Sequence, residues 1–81
     1  MELNKQQVAE KLGTRVRELR LEKGLTIEKL ALESDMQYVQ VSRIEHGKIN
    51  TTIYQVYKIS NALGQPLSNL FNNISDKQNE R

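Results

Sequence analysis

An all-α fold of five helices is predicted by three features of this 81-residue sequence. Apolar residues recur three and four apart in successive segments, which is the spacing of a helix with one buried face. A glycine or an aspartate stands where most of these segments stop. No stretch alternates apolar and polar residues as a half-buried strand would, and there is no repeat or low-complexity tract. Residues 1–74 are assigned to one domain, and the remaining SDKQNER to a polar tail, 75–81, that frays. So small a domain buries only about 60–65% of the surface its unfolded chain exposes. Association with a second copy is a common supplement.

The first helix starts at Asn4, a good N-cap, with Gln7 at capping-box spacing. Val8, Leu12, Val16 and Leu19 form its apolar stripe. Gly13 interrupts it at a cost of about 1 kcal/mol relative to alanine. That makes it a candidate boundary between a flexible arm and the packed helix. Gly24 ends the helix near Lys23, with Leu25 as its apolar companion.

Thr26 caps the second helix, and Glu28 sits favourably in its first turn. Lys29 stands where a full capping box would carry Glu or Gln, so the box is absent. Ile27, Leu30 and Ala31 face inward with Ser34 below them, and Ser34 and Asp35 end the helix. Aspartate tolerates the left-handed backbone that a sharp turn needs. The third helix runs from about Gln37 to His46, with Val41 and Ile44 inward and Met36 plugging the turn. Its other side carries Tyr38, Val39, Ser42, Arg43 and His46. Gly47 stops it, and His46 and Lys48 lie near its negative end.

After a loop over 48–51, Thr52 and Gln55 form a capping-box pair for the fourth helix. Ile53, Val56, Ile59, Ala62 and Leu63 make its stripe, ended by Gly64. Pro66 suits the first turn of a short fifth helix whose apolar side is Leu67, Leu70 and Phe71.

Composition removes several functions. There is no cysteine and a single histidine, so neither a zinc site nor a Cys-His or Ser-His-Asp arrangement has enough partners. His46 reads as a cation at a helix end. The glycines are isolated and cradle no phosphate. Catalysis is not expected, and no metal or cofactor is called for. No apolar run approaches the roughly 18 residues of a membrane span. MELNKQQ lacks the apolar centre of a secretory signal, so a cytoplasmic protein without membrane contact is expected. The net charge of +2, from 12 Lys and Arg against 10 Asp and Glu, permits a nucleic-acid partner without indicating one. Lys11, Arg15, Arg17, Arg20 and Lys23 gather on the first helix, but Glu2, Glu10, Glu18 and Glu22 dilute them. That mixture reads as a solvated face.

The second and third helices are short and separated by a turn of about three to four residues, the spacing of a helix-turn-helix. Geometry alone leaves two readings open: a DNA reader, or the helix pair that any small bundle contains. The residues narrow the choice. VRELRLEKGLT, EKLA, VSRIEHGK, IYQVYKISNALG and PLSNLF follow one another in order and without a gap between Arg15 and Phe71. In this the chain resembles the Cro/C1-type (XRE) helix-turn-helix family of bacterial and phage regulators, whose fold is lambda-repressor-like.

The resemblance implies that the third helix is the recognition helix. Carried onto this chain, its base-contacting residues are Gln37, Tyr38, Val39 and Arg43, with Ser42 between them. Chemistry agrees. Arg43 can donate twice to guanine and Gln37 can pair with adenine, while Val39 suits a thymine methyl. Tyr38 suits a base or a phosphate. Phosphate contacts would come from Thr26 and Ile27 at the start of the second helix, and from Gln40, Lys48 and Asn50. Two departures stand out. Ile27 replaces a usual Gln, which leaves only a backbone contact. Gln37 replaces the usual Ser or Thr cap of the recognition helix, so Asp35 is an alternative cap. Arg20 and Glu45 match a structural salt bridge of the family.

The implied function is a sequence-specific, double-stranded-DNA-binding transcriptional regulator, a repressor in the expected sense, acting without cofactor. It would bind a palindromic operator as a homodimer, because two half-sites multiply the few contacts of one helix. Tyr54, Tyr57, Leu67, Leu70, Phe71 and Ile74 are the candidate dimer surface; the alternative is that half of them complete the core. Rival functions are a toxin–antitoxin antitoxin, a restriction–modification controller, or a helical protein-interaction module without DNA binding.

Overall fold

Four α-helices and one 3₁₀ turn are formed by residues 2–48, 51–72 and 74, which the computed structural model describes. No strand occurs among these described residues. Asn50 and the tail 75–81 lie outside them.

Helix α1 (Lys5–Lys23) opens with a reciprocal box. The Asn4 side chain accepts the Gln7 N–H at 2.8 Å, and the Gln7 amide oxygen accepts the Asn4 N–H at 2.9 Å. The helix then runs unbroken through Gly13, so that residue is not the boundary its low propensity suggested. The reason is steric. Gly13 is buried against the end of α3 (Tyr38–Glu45). A Cβ there would sit 2.6 Å from the Glu45 carbonyl oxygen and nearer still to that of Ile44.

Helix α2 (Ile27–Glu33) is capped by Thr26, whose hydroxyl accepts the Lys29 N–H at 3.0 Å. Every α-helix here closes in one manner: a left-handed residue follows the last turn, and the next N–H reaches back five residues. Leu25 bonds the Arg20 carbonyl (3.0 Å), Met36 that of Ala31 (2.9 Å), Lys48 that of Arg43 (2.9 Å) and Gln65 that of Ser60 (2.9 Å). Gly24, Gly47 and Gly64 supply the left-handed backbone for three of them, and Asp35, at φ 56°, supplies it for α2. Asp35 is thereby removed as a cap for α3. That place belongs to Gln37, in extended backbone, and its N–H is accepted by the Gln40 side chain at 3.0 Å. Gln37 and His46 are caps rather than helical residues.

Helix α4 (Ile53–Leu63) starts from Thr52, whose hydroxyl accepts the Gln55 N–H at 3.1 Å. Its buried stripe begins at Val56. Ile53, expected inward, is the first helical residue and is 67% exposed. The expected fifth α-helix is a 3₁₀ turn, Leu67–Phe71. Five residues suit that tighter geometry, which is used in short pieces. Pro66 precedes the turn in extended backbone, at ψ 147°, rather than opening it.

Val16, Leu30, Val41, Ile59 and Leu70 meet at the centre, all closed to solvent. Leu70 is therefore corrected from the candidate dimer surface to the core. Leu67, Phe71 and Ile74 are half-buried and pack against it. Helix α3 packs on α1 at one side and α2 at the other. Its remaining face is open.

Candidate nucleic-acid interface

The open face of α3 begins with its first turn. Gln37 is exposed, and Tyr38 and Val39 are 51% and 53% exposed. One turn further on, Arg43 is exposed and Ser42 half-buried on the same side. Val41 and Ile44 between them are buried, so the face is a consequence of helical periodicity. Half-exposed Val39 leaves apolar surface in water, which a thymine methyl would relieve.

Capping decides which side chains remain free. Gln40 spends its amide oxygen on the Gln37 N–H. That leaves its NH₂ group, the part of the side chain able to donate to a phosphate. The Gln37 side chain itself makes no cap hydrogen bond. Gln40 in that role was missed in the sequence, although Gln37 and Gln40 stand at capping-box spacing. Thr26 likewise caps through an acceptor: its hydroxyl oxygen accepts the Lys29 N–H, and its O–H remains able to donate. Ile27 packs its side chain against the core, so this corner offers backbone N–H groups and the Thr26 hydroxyl.

Cations lie at the far end of the face. Ser42, Arg43, His46 and Lys48 line a shallow depression there. Among the described residues no carboxylate pairs with Arg43 or Lys48. The His46 ring turns back, its Nδ1 2.7 Å from the Ser42 carbonyl oxygen, so that nitrogen carries the proton and donates. His46 thus serves the end of the helix rather than the groove.

The helix is braced from behind. Arg20 donates to both carboxylate oxygens of Glu45, at 2.6 and 3.1 Å, with the two side chains 9% and 1% exposed. It also donates to the Leu25 carbonyl at 2.8 Å. Gln6 donates to the Gly47 carbonyl at 3.0 Å, so the first turn of α1 holds the loop after α3. Tyr54 and Tyr57 stand exposed on α4, away from these contacts, with ring centroids 6.3 Å apart. Among the described residues no group of three His, Cys, Asp or Glu comes together, and no helix is long and apolar enough to cross a membrane.

A short helix braced on two sides and open on the third, with polar side chains and cations on its open face, is the arrangement of a helix-turn-helix DNA-binding regulator. The comparisons place it further. The family described as HTH_3: Helix-turn-helix matches residues 16–70. Control protein C.MunI of Mycoplasma sp is 38% identical over 65 residues, covering 79% of this chain and 88% of that one. Control protein C.BamHI of Bacillus amyloliquefaciens is 43% identical over 53 residues, 64% of this chain; the match spans 65% of that protein's length. Among solved structures, the restriction-modification controller protein C.AhdI from Aeromonas hydrophila superposes with a TM-score of 0.77 at 36% identity. It covers 78% of this chain and 96% of its own. This chain belongs to the HTH_3 helix-turn-helix family.

Proposed function

We propose that this protein is a sequence-specific transcriptional regulator of the controller kind, set beside a restriction–modification system, that binds an inverted-repeat operator as a homodimer. The observation that carries sequence reading is the open face of α3, where Gln37, Tyr38, Val39 and Arg43 are all presented and, among the described residues, no carboxylate pairs with Arg43. Likeness to C.MunI, C.BamHI and C.AhdI supports the controller assignment over that of an antitoxin. Dimerisation follows from specificity. One short helix reaches only a few base pairs, and a two-fold pair spanning about 34 Å squares its selectivity. Gln37 and Arg43 read base edges; Lys48, Asn50, Gln40 and the backbone at Thr26 and Ile27 hold phosphates.

Selection of sites from random duplexes tests this directly. The expected product is a palindrome with half-site centres about one helical turn apart. Affinity for it should fall with salt at a slope near −5 for about six phosphate contacts. Recovery of no motif, or binding indifferent to salt, would leave a protein-interaction module as the better description.

A further inference from the structure

The two ends of the recognition helix are held by different means. Its C-terminal end is braced by Gly13, Gln6 and Arg20 of α1. Its N-terminal end, which carries Gln37, Tyr38 and Val39, hangs from the turn at Asp35. Asp35 is the one non-glycine residue with positive φ among those described. A small rotation there swings the reading residues. Aspartate adopts left-handed backbone more readily than most residues but less readily than glycine, so a contact that holds the turn sharpens its geometry.

Support comes from α4. Lys58 reaches across to donate from Nζ to the Asp35 carbonyl at 3.2 Å. The same ammonium lies 5.3 Å from the centroid of the Tyr54 ring. Tyr54 is one helical turn before Lys58 on the same face, and is itself stacked on Tyr57 with the rings 26° apart. A lysine ordinarily loses considerable side-chain freedom when tied to one partner. Here the ring face attracts the cation and confines it.

We propose that Lys58 is a positioning residue for DNA reading: clamped between the Tyr54 ring and the Asp35 carbonyl, it fixes the turn that aims the first turn of α3. The inference rests on the reading of this protein as a sequence-specific DNA binder. Charge alone would suggest that Lys58 holds a phosphate, but its ammonium already spends one of its three donors on the protein's own backbone, and the salt slope distinguishes the two roles.

The test measures affinity for the selected duplex as a function of salt, and base preference, for the full chain and for Lys58→Met, Lys58→Arg, Tyr54→Leu and the Lys58→Met/Tyr54→Leu double variant. Melting curves confirm that each is folded at the assay temperature; Lys58→Gln replaces Lys58→Met if that variant is not. Lys58→Met should weaken binding about tenfold, within the range for a hydrogen bond from a charged donor. Its salt slope should be unchanged, and preference should broaden at the bases read by Gln37 to Val39 while the Arg43 position keeps its choice. Lys58→Arg, which can donate and stack, should stay within about twofold. With each protein held well above its dimer dissociation constant, so that any role of Tyr54 between copies drops out, the double variant should bind no more weakly than Lys58→Met alone. A salt slope shallower by about 0.9 would make Lys58 a phosphate contact and overturn the proposal. So would unchanged affinity, a uniform loss of preference at every position, or additive losses in the double variant. Failure of the unmodified protein to select any site overturns the DNA reading and this inference together, whereas wild-type selection with an indifferent Lys58→Met overturns this inference alone.

Discussion

Arg20 grips Glu45 through two parallel hydrogen bonds, at 2.6 and 3.1 Å, at a depth where the carboxylate side chain is 1% exposed. A third bond, to the Leu25 carbonyl, ties the same guanidinium to the corner between α1 and α2. One side chain thus ties two helices to the corner that leads into α2, and the end of α3 cannot shift without stretching charge-assisted bonds.

A buried pair of this kind is weak evidence for net stability, since desolvation offsets much of the attraction. Breaking it is another matter. Glu45→Ala leaves the Arg20 charge buried without its partner and should cost about 3–5 kcal/mol, whereas an Arg20→Met/Glu45→Leu double change should be close to neutral. Urea midpoints of the three proteins decide it. A double variant as unstable as Glu45→Ala would show that the pair is needed for the fold itself.

Gly13→Ala sets two effects against each other. Alanine gains about 1 kcal/mol of helix propensity. Its methyl group would fall 2.6 Å from the Glu45 carbonyl oxygen, and the obstructing atoms are backbone. Overpacking typically costs about 1–3 kcal/mol, so a net loss of up to about 2 kcal/mol is expected. The denaturation midpoint should drop; a rise would mean that α1 moves off α3 freely.

The apolar residues at the end of the chain divide into core and surface, and the division predicts opposite phenotypes. Leu70→Ala should cost about 2–5 kcal/mol of folding stability, since Leu70 is fully buried. Tyr57→Ala, at a residue 46% exposed, should change stability by less than about 0.5 kcal/mol. If Tyr54 and Tyr57 form the surface between copies, Tyr57→Ala should raise the dimer dissociation constant measured by sedimentation equilibrium. A dimer untouched by that change places the interface elsewhere.

What could be read from the chain beforehand was what neighbouring residues decide among themselves. The caps at Asn4, Thr26 and Thr52 satisfy N–H groups three residues away, and the glycine stops follow from their own backbone freedom. The open face of α3 followed from periodicity. Gly13 and Leu70 were misjudged because their roles depend on elements far along the chain. A glycine that admits a carbonyl and one that breaks a helix are the same letter. The bond from Lys58 to the Asp35 carbonyl left no trace in either local pattern, because it joins a helix face to a turn 23 residues earlier.

Arg43 and Lys48 line one depression, and among the described residues neither pairs with a carboxylate, yet they should behave differently on DNA. Arg43 projects from the helix face that carries Tyr38 and Val39, while Lys48 follows the left-handed Gly47 beyond the end of α3. A bidentate contact to guanine is worth about 1–3 kcal/mol of discrimination, so Arg43→Ala should relax choice at one position of each half-site. Lys48→Ala should weaken all duplexes alike and make the salt slope shallower by about 0.9 for each subunit. Binding profiles over all single-base variants of the selected site separate the two. Uniform weakening by both changes would reassign Arg43 to the phosphates and leave Gln37, Tyr38 and Val39 as the base readers.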